Sequence, residues 1–503
     1  MARTKDGAST SANSELANFE MKSRACWIAL FVLLSLALAV PFLCVDEPPL
    51  LDYPNHLARA FVLAHLHDPA YHFSAVYRAD WRPYPYVLWD AAAVALQRVV
   101  SAEIAGKLLL IFSTVLLPIS VAWFLWQANR ESIGMAPMAC VLAYNTLFFW
   151  GFTAYHLSIG CCFLMVGAWL WYRRSPSMLR AGVFLASSFA AYFAHLLGFA
   201  ASAFILVFYV LTERPTEKKL REWLRLAAFL APPALLFLWA RPGLGGPKRL
   251  AWRPFADRLR EVYELTTQDY DIDLNRILIA GLVACFLIAV VRNRELKVSR
   301  RWLIVTVAFF VIYLLLPFGW GASSDLDVRF VAPLCLLPLA VLQVGKRAKW
   351  IAALAVALTL LRVYNVATGF RAETARNAAM NHGIEQIARN ARVFPVVDTC
   401  KDEDPLDYYY VHYWAYAVIR RGAISPYLFD IPGQTPMRIT WEPYTAEGYW
   451  EHCYSEEEPD WQQVAGDYDY IWTYGDQRFT QGIRGVADPV FEEKPLVVYR
   501  VRR

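Results

Sequence analysis

The sequence predicts a polytopic α-helical membrane protein carrying a small C-terminal α/β domain, and three observations lead to that fold class. Of its 503 residues, 57% are hydrophobic, 15% aromatic and only 18% charged, where a soluble globular chain carries about 25% charge. Windows such as Trp27–Val45 and Trp302–Trp320 contain no charged residue, and about 20 mostly apolar residues suffice to cross roughly 30 Å of hydrocarbon. The charge that remains is segregated. Residues 367–503 hold 14 basic and 21 acidic side chains, against 35 and 23 in residues 1–366, so the tail is a separate acidic unit. A soluble enzyme, a fibrous chain and a disordered tail are excluded. A net charge of +5, with no basic patch interleaved with aromatics, gives no nucleic-acid surface.

In chain order, the apolar windows place spans near 27–45, 105–127, 134–150, 157–172, 181–193, 196–212, 225–240, 275–291, 302–320, 329–344 and 350–367, about eleven in all. The short window 181–193 marks paired or broken helices. Lys and Arg collect in alternate connections: Lys22 and Arg24, Arg173 and Arg174, Lys218 to Arg225, Arg292 to Arg301, and Lys346 to Lys349. Positive charge favours the cytoplasmic side. The polar first 25 residues are therefore a cytoplasmic tail, 26–367 a transmembrane domain with a long exported loop at 46–104, and 368–503 a periplasmic domain. No cleavage-site pattern follows the first apolar run, so that run is expected to stay as an anchor.

Within the tail, Arg371 to Asn390 has amphipathic helical spacing, Val393–Val397 reads as a buried strand, and Tyr408–Ile419 is helical again. Tyr468–Tyr474 and Leu496–Val501 are strand-like. No glycine-rich phosphate loop is present, which leaves the tail to cover or shape a site in the membrane domain. Seven of the nine cysteines lie in or beside apolar windows; Cys400 and Cys453 sit in the tail, either as a disulfide of an oxidising compartment or as two unrelated thiols.

Polar density rises abruptly after the first span, in Asp46-Glu47-Pro48-Pro49-Leu50-Leu51-Asp52-Tyr53-Pro54-Asn55-His56-Leu57-Ala58-Arg59. If a helix begins near Asp52, then Asp52, His56 and Arg59 lie at i, i+4 and i+7 and share a face. The same residues would serve to start a surface helix, with Asp52 as its cap and Pro54 in its first turn. An ionisable cluster at a membrane rim is equally a catalytic candidate.

The Asp52, Pro54 and His56 run resembles the Asp-Glu-Pro-x-His pattern of GT-C membrane glycosyltransferases, the superfamily of protein O-mannosyltransferases and aminoarabinose transferases. The layout is similar too, with about eleven spans, a long first exported loop and a C-terminal domain on the same side. Arg329-Phe330-Val331-Ala332-Pro333 is similar to the Arg-Tyr-x-x-Pro run of many members. The usual Glu after the catalytic Asp is Tyr53 here, which leaves Asp46 or Glu47 as stand-ins for that second acid. The resemblance implies sugar transfer from a polyprenyl-phosphate carrier to an acceptor hydroxyl, inverting, at the periplasmic face of a bacterial inner membrane. Asp52 would take the acceptor's proton, and His56 would orient the acceptor or Asp52, or bind a divalent cation. Arg329, with Lys248 or Arg249, would stabilise the leaving phosphate, since a guanidinium fork binds phosphate bidentately; the alternative for Arg329 is snorkelling to lipid headgroups. The acceptor is a glycan, a lipid or a protein.

Other residues carry weaker signals. His156 and His195 fall at the same membrane face as Asp52, where they either line the cavity as substrate-binding groups, as Arg59 would, or are satisfied by neighbouring carbonyls. His65, His67 and Asp68 have a metal-like spacing but read as ordinary surface groups on a helix. Trp81, Tyr84, Tyr86 and Trp89 read as an interfacial anchor, and Asp269, Asp271 and Asp273 as a solvated turn. A polysaccharide polymerase or ligase and a lipid-linked glycan transporter are the rival readings. A transporter would show repeats or midspan charges, and a polymerase would show arginines in a large late loop.

Overall fold

The computed structural model describes residues 28–213, 217–240, 250–267, 272–291, 297–320, 324–344, 348–399, 407–446 and 458–503. Lys248, Arg249, Cys400, Cys453, Asp269, Asp271 and the first 25 residues lie outside the described residues.

The helices run in the order α1 (Ile28–Ala37), α2 (Tyr53–Ala64), α3 (Val87–Leu96), α4 (Ala102–Ala128), α5 (Met138–Val141), α6 (Thr146–Phe149), α7 (Thr153–Arg174), α8 (Met178–Ala194) and α9 (Leu196–Leu211). They continue with α10 (Glu217–Ala240), α11 (Phe255–Thr267), α12 (Ile272–Val290), α13 (Arg300–Leu315), α14 (Val328–Leu336), α15 (Ala348–Ala372), α16 (Thr374–Glu385), α17 (Tyr416–Arg421), α18 (Trp461–Asp467) and α19 (Thr480–Val486). Among the described residues, four helical stretches are long and apolar enough to cross a membrane: α4, α7, most of α10, and α15 running into α16. α4 shows how such a helix divides its surface. Ile104, Leu108, Phe112 and Ile119 are exposed on one stripe while Leu109, Leu110, Leu117 and Val121 are buried, the pattern of a helix with lipid on one side and protein on the other. Two glycines on one face of α7 let it close on α4. A Cβ at Gly160 would come within 2.8 Å of Leu116, and one at Gly167 would strike Trp123; small residues are how membrane helices reach close contact.

Three expected spans are not single helices: in 27–45, α1 gives way to a turn and a 3-10 segment at Val40–Leu43 with Pro41 in it, and two more are broken. In 134–150, a 3-10 segment (Arg130–Met135), α5 and α6 follow one another, because Pro137 precedes α5 and Asn145 starts α6 by accepting the Phe148 N–H at 3.2 Å. In 329–344, α14 gives way to a 3-10 turn at Leu337–Ala340 with Pro338 in its first turn. Hydropathy counts apolar residues and is blind to these breaks. The 181–193 window is α8, joined to α9 by His195 alone.

The tail builds a four-stranded sheet in the order Val393–Asp398, Tyr470–Gly475, Leu496–Val501, Ala487–Glu493. Its first pair is parallel and the rest antiparallel. The two parallel strands are buried along their whole length, which suits near-continuous apolar runs. The strand Ala487–Glu493 had no apolar signal, being an exposed edge. Arg371 to Asn390 is not one helix, since α15 continues to Ala372 and α16 follows.

The tail also clasps the first long loop. Tyr77–Ala79 pairs antiparallel with Met437–Ile439, the Tyr77 hydroxyl donates to the Ser425 carbonyl and accepts the Ser425 N–H, both at 2.9 Å, and Arg438 bridges Asp80 (3.1 Å) and Asp430 (3.0 Å). The aromatics of that loop are mostly not an interfacial rim. Trp81 is exposed, but Tyr84 and Trp89 are buried inside the protein.

Candidate active site

α2 is held so that its first residues face inward. The Leu51 and Asp52 N–H groups donate to the carbonyls of Phe149 and Trp150, each at 3.1 Å, so the 149–151 turn pins the chain entering the helix. Gly151 makes that approach possible. It sits at φ +72, and a Cβ there would lie 2.6 Å from the Tyr53 nitrogen and 2.7 Å from that of Asp52. Gly151→Ala is expected to lose about 1–3 kcal/mol from backbone strain alone and to push Asp52 out of place; melting temperature and turnover should both fall. Retained turnover would show that this turn does not set the position of Asp52.

Asp52 precedes α2 but makes no capping hydrogen bond with its side chain. Its carboxylate is instead turned, with His56 and Arg59, into a cavity of about 160 Å³. Four further groups of residues close that cavity: Tyr86 before α3; Phe152, Ala154 and Tyr155 at the start of α7; His195 and Arg329; and Phe429, Ile431, Gln434 and Thr435 from the tail.

Arg59 is committed on one side. Its Nε and Nη2 donate to Asp90 Oδ1 and Oδ2, both at 3.0 Å, with both side chains buried. Burial raises the Asp90 carboxyl above its ordinary range, with Arg59 pulling the other way. The Arg59 Nη1 group is buried without a hydrogen-bond partner. Arg329, in the first turn of α14, donates through Nη1 to the Ser324 carbonyl at 2.5 Å and lays its guanidinium 4.6 Å from the Phe152 ring centre. Its Nε is also buried without a partner. Asp327 caps α14 by accepting the Val328 N–H at 3.0 Å and pairs with Arg258 at 3.7 Å, while Arg253 holds Asp325 at 2.9 Å. The turn that presents Arg329 is thus tied down by two ion pairs.

The neutral polar groups face the same space. His56 packs 5.0 Å from the Phe429 ring and 6.0 Å from Trp89. Desolvation first, then the Arg59 guanidinium and the neighbouring His412, hold its imidazole well below the usual histidine range, so it is neutral at physiological pH, with Nδ1 unpartnered. His195 accepts the Leu197 N–H on Nδ1 at 3.1 Å, which leaves Nε2 carrying the proton; its ring meets those of Tyr86 and Tyr155. The Tyr155 hydroxyl is buried and unpartnered. Desolvation pushes the Tyr86 phenol up to about 12, which keeps it a donor.

His156 does not line the cavity. Its Nε2 lies 2.9 Å from the Ala143 carbonyl and its Nδ1 3.3 Å from Ser113 Oγ, so it is a satisfied histidine between helices rather than a substrate-binding group. Glu47 is no stand-in for the missing second acid. It is buried against Arg420 and accepts from Asn381 at 3.2 Å, away from the cavity, and the Asp46 side chain is exposed. Among the described residues no cluster of three His, Cys, Asp or Glu groups is arranged to hold a metal ion. The cavity itself offers one carboxylate beside two guanidiniums, whereas a hard divalent cation takes mostly oxygen ligands. The donor set therefore does not fit a divalent cation.

Sequence reasoning missed Tyr86, Tyr155, the tail residues of the cavity wall and two residues behind Asp52. His412, from the tail, places Nε2 3.4 Å from Asp52 Oδ1. Asn55 fixes the tail against α2 by donating to the Tyr427 carbonyl at 3.0 Å and accepting the Phe429 N–H at 2.8 Å.

No family model and no curated protein matches the sequence. Among solved structures, the chain is similar to ArnT from Cupriavidus metallidurans bound to undecaprenyl phosphate, with a TM-score of 0.51 at 12% identity, covering 94% of this chain and 97% of that one. It also matches the arabinofuranosyltransferase AftD from Mycobacteria at a TM-score of 0.48 and 14% identity, covering 93% of this chain but only 40% of AftD. The first likeness runs almost end to end and shows a shared fold.

Proposed function

We propose that this chain is a membrane glycosyltransferase that moves a sugar from a polyprenyl-phosphate carrier to an acceptor hydroxyl. The observation that carries this reading is the cavity's division of labour. Asp52 supplies its one carboxylate, while Arg329, Arg59 and the Tyr155 hydroxyl bring polar atoms that are buried without partners. Unpartnered donors of that kind cost free energy, and a bound phosphate would relieve them. Asp90 already neutralises Arg59, so the uncompensated positive charge is that of Arg329. The shared fold with a protein solved in complex with undecaprenyl phosphate supports a donor of the same chemistry.

In this mechanism Asp52 accepts the proton of the acceptor hydroxyl, whose oxygen attacks the anomeric carbon. The bond from that carbon to the phosphate oxygen breaks as the new one forms, inverting the anomeric centre. Charge builds on the departing phosphate, where Arg329 stabilises it; donors aimed at developing charge in a water-poor site are worth more than in water. In this reading His195 and Gln434, which line the same cavity, bind sugar hydroxyls, while Thr435 is held by Ile431 and Arg438 and shapes the wall. The distribution of basic residues supports an orientation with the N-terminus cytoplasmic and the cavity facing the periplasm of a bacterial inner membrane.

The test is to supply the full-length protein in nanodiscs with a panel of polyprenyl-phosphate sugars and a membrane extract as acceptor. Free polyprenyl phosphate is expected from at least one donor. Release from none would overturn the transferase reading in favour of a transporter or of a polymerase acting on larger lipid-linked glycans.

A further inference from the structure

We propose that His412 is a positioning residue for Asp52: a neutral imidazole, protonated on Nε2, that holds one carboxylate oxygen and leaves the other for the acceptor hydroxyl. The inference rests on the reading of Asp52 as the base. It deepens that reading by assigning the base a partner from the far end of the chain.

The proton's position on His412 follows from hydrogen-bond bookkeeping around Asn55. The Asn55 amide can sit only one way round. Its Nδ2 donates to the Tyr427 carbonyl at 3.0 Å and its Oδ1 accepts the Phe429 N–H at 2.8 Å. Exchanging the two atoms would set oxygen against oxygen and N–H against N–H. With the amide so fixed, the Nδ2 group also faces His412 Nδ1, at 3.5 Å. A donor there requires Nδ1 to be an acceptor and so to carry no hydrogen. The single proton of the neutral ring is then on Nε2, 3.4 Å from Asp52 Oδ1.

Burial reinforces the assignment. The His412 side chain is 2% exposed, with the Phe429 ring 5.2 Å away. A second proton would have to sit on Nδ1, opposed to the Asn55 N–H. The proton taken from the acceptor stays on Asp52 and leaves to solvent after the sugar has moved. With Asp52 Oδ1 facing the imidazole at 3.4 Å and the Asp52 side chain 17% exposed and lining the cavity, the proposal gives Oδ2 to the acceptor hydroxyl.

A hydrogen bond donated to a carboxylate favours its charged form. Losing the Nε2 donor should therefore raise the pH at which Asp52 protonates. The other ionisable groups around it are His56 and Arg59 on α2, Tyr86 from the first loop, Tyr155 on α7, His195 between α8 and α9, and Arg329 on α14. A change at 412 also reaches His56, whose imidazole is held low in part by His412; the comparison with His412→Gln, which likewise lacks the imidazole but keeps a donor, separates that effect.

The experiment titrates the Asp52 carboxyl in nanodisc-embedded full-length protein, following the infrared band of the protonated acid and assigning it by its loss in Asp52→Asn. In His412→Ala the midpoint is expected to rise by about one pH unit, a tenfold change in the acid constant, and the acid limb of kcat/KM to move up with it. His412→Gln keeps a donor and should stay close to the wild type in both. A wild type labelled with ¹⁵N-histidine provides a reading that needs no variant to fold beyond the one that assigns the signal: His412 is expected as the Nε2-protonated tautomer. An Asp52 midpoint unmoved in a folded His412→Ala protein, or an Nδ1-protonated or doubly protonated His412, would overturn the assignment and leave the transferase reading standing. Failure of the wild type to release polyprenyl phosphate from any donor would overturn the transferase reading instead.

Discussion

Arg329→Gln is expected to slow sugar transfer by about 10²- to 10³-fold, the usual cost of removing one donor aimed at developing charge. Arg329 is the cavity's uncompensated cation, because Arg59 is already matched by Asp90. Its Nε is buried without a partner of its own, so that donor is available to a ligand. The loss should fall on kcat more than on KM if the interaction strengthens as the phosphate departs. Lysine restores the charge but not the planar fork, so Arg329→Lys should recover only part of the rate. Steady-state kinetics with the donor identified from the panel checks both variants. Equal rates for wild type and glutamine variant would remove Arg329 from the mechanism.

Asp90→Ala should be the most destabilising single change near the site, by about 3–5 kcal/mol. It strands the Arg59 guanidinium, 3% exposed, without its bidentate acceptor. Breaking one partner of a buried pair is costly even where the intact pair contributes little to stability. Replacing both partners, as Arg59→Met with Asp90→Leu, should therefore recover much of the stability while still impairing turnover, since Arg59 also faces the cavity. Thermal unfolding in detergent distinguishes the two. A small shift for Asp90→Ala would mean that water reaches Arg59 and that the wall of the cavity is looser than the pair implies.

The sequence made the local part of this site legible and hid the rest. Asp52, His56 and Arg59 could be placed together because they sit on one helix at i, i+4 and i+7, a relation that helical periodicity alone dictates. Arg329 could be nominated because arginine at the mouth of an apolar stretch is a short-range signal. His412, Phe429, Gln434 and Thr435 could not be found that way, since they reach the cavity only through the clasp of Tyr77–Ala79 on Met437–Ile439 and the Asn55 contacts, both of which join segments more than 350 residues apart. Tyr86 owes its place to a left-handed backbone, φ 86, which non-glycine residues seldom adopt. His156 was misplaced for a related reason: its position along the span was right, but its side chain is satisfied by a carbonyl on the neighbouring segment. The tail strands were legible wherever burial made them continuously apolar, and the exposed edge Ala487–Glu493 was not. The broken helices near 134–150 and 329–344 had their signals in Pro137, Asn145 and Pro338, which an average over apolar residues discards.

The central claim is that Asp52 is the base of a lipid-phosphate-sugar transferase, and one comparison tests it most directly. Wild type and Asp52→Asn, shown to melt at the same temperature in nanodiscs, are given the donor panel and acceptor extract, and released polyprenyl phosphate is counted. The expected result is release by the wild type and a loss of about 10²- to 10⁴-fold in the variant, the range that a positioned general base supplies. Equal release by the two proteins would contradict the assignment of Asp52.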